Sequence, residues 1–117
     1  MRDDLKPVPA SPDGGLVIRP LSGDHGLVLH GQADINSHLV LRTALRAAAA
    51  DRPHHFHLEL AGLRFIDVCC TREIVAFTER HPGMRVTLHH PPPGLLRITS
   101  LVWPEANLDV TGPDGQI

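Results

Sequence analysis

Apolar and polar positions change their period several times along this chain, and each change marks an element. Leu16 to Leu21 and Leu27 to Gly31 are short β-like runs, joined by Ser22-Gly23-Asp24-His25-Gly26, a hairpin-type connection with two glycines. From about His38 to Ala50 the period lengthens: Leu41, Leu45 and Ala48 share one helical face, and the run Ala47 to Ala50 has strong helix propensity. Asn36 or Ser37 can cap that helix, and Pro53 closes the connection behind it. Phe56, Leu58 and Leu60 then alternate with His55, His57 and Glu59, the period of a strand. After a glycine turn at Gly62 and a short apolar run, Asp67 stands where a second helix opens; Ile74, Val75 and Phe77 follow, and His81-Pro82-Gly83 ends it. Met84, Val86 and Leu88 alternate with Arg85 and Thr87 as another strand. Pro91-Pro92-Pro93 leads into a third helix with Leu95, Ile98, Leu101 and Val102 as its apolar stripe, and Asn107 to Thr111 predicts an edge strand.

The predicted order is β-β-α-β-α-β-α-β. Helices of about ten residues between strands imply parallel pairs with right-handed crossovers, and the opening hairpin adds an antiparallel pair. The expectation is an α/β domain over 16–111: a mixed β-sheet with an N-terminal hairpin and helices packed on the sheet. Residues 1–15, rich in Pro and Gly among charges, read as a disordered leader, and 112–117 as a flexible tail.

Composition narrows the function classes. The 117 residues allow one core, and 42% apolar residues suit a globular domain. A net charge of −2 gives no field that calls for nucleic acid or an acidic membrane surface, and 3% aromatics without tyrosine disfavours base stacking. No apolar h-region or membrane-length apolar window occurs, so the expectation is a cytoplasmic protein without direct membrane insertion.

Candidate chemistry gathers around Asp67. A helix tip presents free backbone N–H groups, which suits an anion or a partner, yet an Asp there more often caps the helix, for about 1 kcal/mol. Cys69 and Cys70 sit near that tip, where the dipole can lower a thiol pKa, so a thiol-based redox or small-molecule sensor is one alternative; two small residues packed under the turn is the plainer account. His55 and His57 share a strand face while His54 points away, which leaves only two local ligands, and no metal or other cofactor is expected. Arg42 and Arg46, one helical turn apart, could meet a phosphate or simply face solvent. No phosphate loop, nucleophile elbow or H-E-x-x-H occurs, so no catalytic residue is expected.

Three motifs in this order resemble the STAS domain of bacterial anti-sigma factor antagonists and of sulfate-transporter tails. Gly31-Gln32-Ala33-Asp34-Ile35 is similar to the family's Gly-Glu-Leu-Asp after the second strand. Leu58-Glu59-Leu60-Ala61-Gly62-Leu63-Arg64-Phe65-Ile66-Asp67 is similar to its LDLSGLxFID, and Pro92-Pro93-Gly94-Leu95-Leu96-Arg97-Ile98 to the segment before its third helix. The resemblance implies a STAS-like fold and a non-enzymatic interaction domain. Its partner would be an anti-sigma factor or a histidine-kinase-like ATPase, met through Asp34, Ile35, Asp67, Val68, Cys69, Cys70, Thr71 and Arg72. In the family a phosphorylated Ser follows the Asp; here that position is Val68, so no phosphorylation is expected there. Thr71, the nearest hydroxyl, is expected to face elsewhere. An accessory subunit of a sensory or lipid-transport complex is the alternative among binding modules.

Overall fold

The structure is a computed structural model that describes residues 8–9 and 15–111. Among them, six strands and three helices follow in the order β1 (Val8–Pro9), β2 (Leu16–Pro20), β3 (Gly26–Ala33), α1 (His38–Ala48), β4 (His55–Ile66), α2 (Val68–Arg80), β5 (Arg85–His89), α3 (Pro93–Val102) and β6 (Asp109–Thr111). The strands lie in the sheet in chain order, antiparallel from β1 to β3 and parallel from β3 to β6. Each parallel neighbour is reached through one helix, and crossovers of one hand that always step the same way leave their helices on one face. The mixed sheet with an opening hairpin and packed helices is therefore as the periodicity predicted. The leader and tail expectations fall mainly outside the described residues; within the leader, Val8 and Pro9 lie opposite Ile18 and Val17.

The core sits between the sheet and the helices. Leu27 and Leu29 of β3, Phe56, Leu58 and Leu60 of β4, and Val86 and Leu88 of β5 meet Leu41 and Leu45 of α1, Ile74 and Phe77 of α2 and Leu95 of α3. Phe56 and Phe77 meet edge to face, with ring centroids 4.9 Å apart.

The stretch around Gly62 departs from expectation. It is not a turn: β4 runs unbroken for 12 residues from His55 to Ile66. Two register shifts against β3, between Val28 and His30 and between Gly31 and Gln32, each put one extra residue on β4. The inward positions accordingly step from Phe56, Leu58 and Leu60 to Leu63 and then Ile66. Gly62 lies under the His30 ring, where a Cβ would come within 2.1 Å of Nδ1, and Gly31 adopts φ 95° at the second shift. The third helix also differs: only Leu95 of its stripe is buried, Leu96 packs beside it, and Leu101 is 75% exposed. Trp103 is half-buried and lines a hollow of about 260 Å³ with Leu96, Leu108 and Val110, at the core's edge.

The sheet face without helices is polar and carries histidines. His55 and His57 stack with centroids 4.1 Å apart, as their spacing implied. His57 Nδ1 lies 2.9 Å from His89 Nε2, and His89 Nδ1 lies 2.8 Å from Thr111 Oγ1, a hydrogen-bonded row crossing β4, β5 and β6. Desolvation, followed by the charge His55 would carry, pushes His57 below the ordinary imidazole value, although Asp24 opposes them.

Candidate functional site

Parallel pairing of β3 and β4 explains why two segments more than thirty residues apart form one site. Ala33 stands opposite Ile66, so both strands end at the same level. The chain leaves them as two adjacent loops, tied by the Asp67 N–H donating to the Ala33 carbonyl at 3.0 Å.

Asp67 is the N-cap of α2. Its backbone is extended, and its carboxylate accepts the Cys70 N–H at 2.9 Å. That carboxylate takes one of the tip's free N–H groups and sets a negative charge at the positive end of α2, so the tip is capped from within. The Asp67 carbonyl accepts both the Thr71 N–H at 3.0 Å and the Thr71 hydroxyl at 2.8 Å. Thr71 is fully buried, which removes the nearest hydroxyl to Val68 from the surface and keeps Thr71 itself from direct contact with a partner.

Across the gap, Asp34 closes a tight turn: its carboxylate accepts the Asn36 N–H at 3.0 Å, and its backbone N–H donates to the buried Ser37 hydroxyl at 3.0 Å. Ser37 occupies the N-cap of α1 but gives that helix no side-chain cap; its hydroxyl donates instead to the Asp34 carbonyl at 3.0 Å. The Cys70 thiol also donates to that carbonyl, at 3.2 Å, and so stitches α2 to the loop after β3. Burial, and then the charge of Asp67, push this thiol up to about 12. It is a packed donor rather than a thiolate, the opposite of what the helix dipole alone would give.

The named site residues thus separate into two layers. Cys70 and Thr71 lie beneath the surface and hold it; Asp34, Asp67 and Cys69 are half-buried; Ile35, Val68 and Arg72 face outward. Ile35 is 61% and Val68 49% exposed, and Phe65, turned outward by the second register shift, is 49% exposed. Leu39 and Val40 of α1 are exposed as well. Sequence reasoning placed none of these last three in the site. Leu39 and Val40 carried a signal, being apolar residues off the Leu41–Leu45 face; Phe65 carried none, since only the strand irregularity turns it out. Ile35, Phe65 and Val68 stand where β3 and β4 end at the same level, an arrangement that suits protein contact.

Arg42 takes a role that its spacing did not suggest. Its Nε and one terminal nitrogen donate to the two carboxylate oxygens of Glu73 at 2.9 and 2.8 Å, a fork that clamps α1 to α2. Arg42's hydrogen bond holds the Glu73 carboxyl below its usual range, outweighing burial. Among the described residues no three His, Cys, Asp or Glu side chains are arranged to ligate a metal, and no helix is long and apolar enough to cross a membrane.

An anti-sigma factor antagonist from Mycobacterium paratuberculosis superposes on this chain with a TM-score of 0.63, over 91% of this chain and 94% of that one, at 20% identity. The fold is that of the STAS domain. The anti-sigma factor antagonist SpoIIAA, in its unphosphorylated form, is similar too, with a TM-score of 0.59 at 13% identity over 84% of this chain and 88% of that one. No model of a known protein family matches the sequence, and no curated protein matches it.

Proposed function

We propose that this STAS-fold domain is a non-catalytic regulator of the anti-sigma factor antagonist kind, which binds an anti-sigma factor or a histidine-kinase-like ATPase without a serine switch. The observation that carries this reading is the exposure of Ile35, Phe65 and Val68, apolar side chains where β3 and β4 end at the same level, beside a helix tip capped by its own Asp67. Both similar structures are anti-sigma factor antagonists by name, which supports the same kind of role here. Asp34, Asp67, Cys70 and Thr71 hold the tip, while Ile35, Val68, Cys69 and Arg72 meet the partner. With valine at the tip, control passes to the partner or binding is constitutive, because no dianion can be added there to repel it. Burial keeps the Cys70 thiol protonated, which removes Cys70 from a thiol-sensor role.

The test is calorimetric titration of the purified chain with the host's anti-sigma kinase. Binding is expected, along with at least a hundredfold loss in Val68→Asp at unchanged melting temperature. ATP is expected to label Val68→Ser but not the native chain. Phosphate incorporation into the native chain near Asp67, or full affinity in Val68→Asp, would sink the reading.

A further inference from the structure

The outer groove between α1 and α2 concentrates positive charge on a chain whose net charge is −2. One hollow of about 290 Å³ is lined by Arg42, Arg46, Arg72, Glu73, Ala76 and Arg80. A second, of about 330 Å³, shares Arg46 and Arg80 with it and adds Arg52 and His81. A third, of about 410 Å³, shares Arg52, Arg80 and His81 with the second and adds His54, Met84 and two prolines. The three hollows therefore lie side by side along one trough. Glu73 is the sole carboxylate among these lining residues, and Arg42 already engages it. The side chains of Arg46, Arg52 and Arg72 make no hydrogen bond or ion pair among the described residues, and the charge of Arg80 helps hold the Glu73 carboxyl low.

We propose that this arginine trough docks an acidic segment of a partner protein. Guanidinium forks match carboxylates two oxygens at a time, and all of the fixed cations here are arginines. Arg72 to Arg80 alone spans about 12 Å of helix, so the charges suit several spaced carboxylates better than one compact phosphate. No Phe, Trp or Tyr lines the trough to stack a base, which disfavours single-stranded nucleic acid. The alanines, Pro53, Pro82 and Met84 give apolar contact between the charges. Val68 and Arg72 are one helical turn apart on α2, so the trough starts where the apolar docking cluster ends. The proposal rests on the reading of that cluster as a protein contact: one partner would cover both, its apolar anchor at Val68 and an acidic segment along the arginines.

A fluorescein-labelled hexaglutamate peptide, titrated against the whole chain by anisotropy in about 50 mM salt, tests the trough without any regulatory partner. Saturable binding is expected, weakened about tenfold in the double variant Arg46→Gln/Arg80→Gln, as two exposed pairs would be. Both side chains are exposed and unclamped, so the variant should melt as the native chain does. Arg97→Gln on α3, outside the trough, should bind the peptide unchanged. Absence of binding, equal loss in Arg97→Gln, or stronger competition from inorganic phosphate or an equally charged single-stranded oligonucleotide overturns the proposal. Kinase binding that survives in Arg46→Gln/Arg80→Gln but is lost in Val68→Asp would sink the trough and leave the docking cluster standing. The reverse pattern would sink the cluster alone.

Discussion

Replacing Asp67 with alanine isolates what the cap contributes. The backbone bonds of Asp67 to Ala33 and Thr71 persist in the variant, because they use only main-chain atoms of residue 67. What disappears is the carboxylate on the Cys70 N–H at 2.9 Å and its charge at the positive end of α2. Loss of a side-chain cap costs about 1 kcal/mol, and loss of an anion in the first turn about 0.5 kcal/mol. The sum, about 1.5 kcal/mol, corresponds to a melting temperature lower by about 6 °C for a domain of this size. Asp67→Asn keeps an oxygen acceptor and loses only the charge, so it should cost about 0.5 kcal/mol. Urea unfolding followed by circular dichroism, with the slope held common, measures both. If Asp67→Ala unfolds at the native midpoint, the carboxylate is not capping α2. If Asp67→Asn is as damaging as Asp67→Ala, charge rather than the hydrogen bond dominates, and the capping argument fails.

Three further outcomes follow from the packing. Glu73→Ala should destabilise by about 1–2 kcal/mol in the same urea assay, discounted because Arg42 stays partly in water; since the Glu73 carboxyl is held below its usual range, this contribution should be present above about pH 4.5 and vanish as pH falls through the folded value. Gly62→Ala should cost about 1 kcal/mol by pushing the His30 ring off the sheet, and His30→Ala in the same chain should restore most of it; a double-variant cycle without coupling would refute the contact. His57, depressed chiefly by burial, binds its proton less readily folded than unfolded, so melting temperature should decline as pH falls through about 6.5, and His57→Gln should flatten that slope. An unchanged slope would remove the depressed His57 from the account.

The hydrophobic period alone determined much of this protein. Alternation at Phe56, Leu58 and Leu60, helical spacing at Leu41 and Leu45, and proline and glycine at the breaks all mark local structure, because backbone geometry repeats along the chain. Asp67 was legible as a cap for the same reason: capping is a contact between near neighbours. The tertiary structure decided what depends on residues far apart in sequence. Strand pairing shifts β4 past β3 twice, which turned an expected glycine turn into continuous strand and sent Phe65 outward. The meeting of α1 and α2 assigned Arg42 to Glu73, 31 positions away, and lined up the arginines of two helices along one trough. Burial beneath the loop after β3 reversed the expectation for Cys70, since desolvation outweighs the helix dipole that the sequence alone suggested.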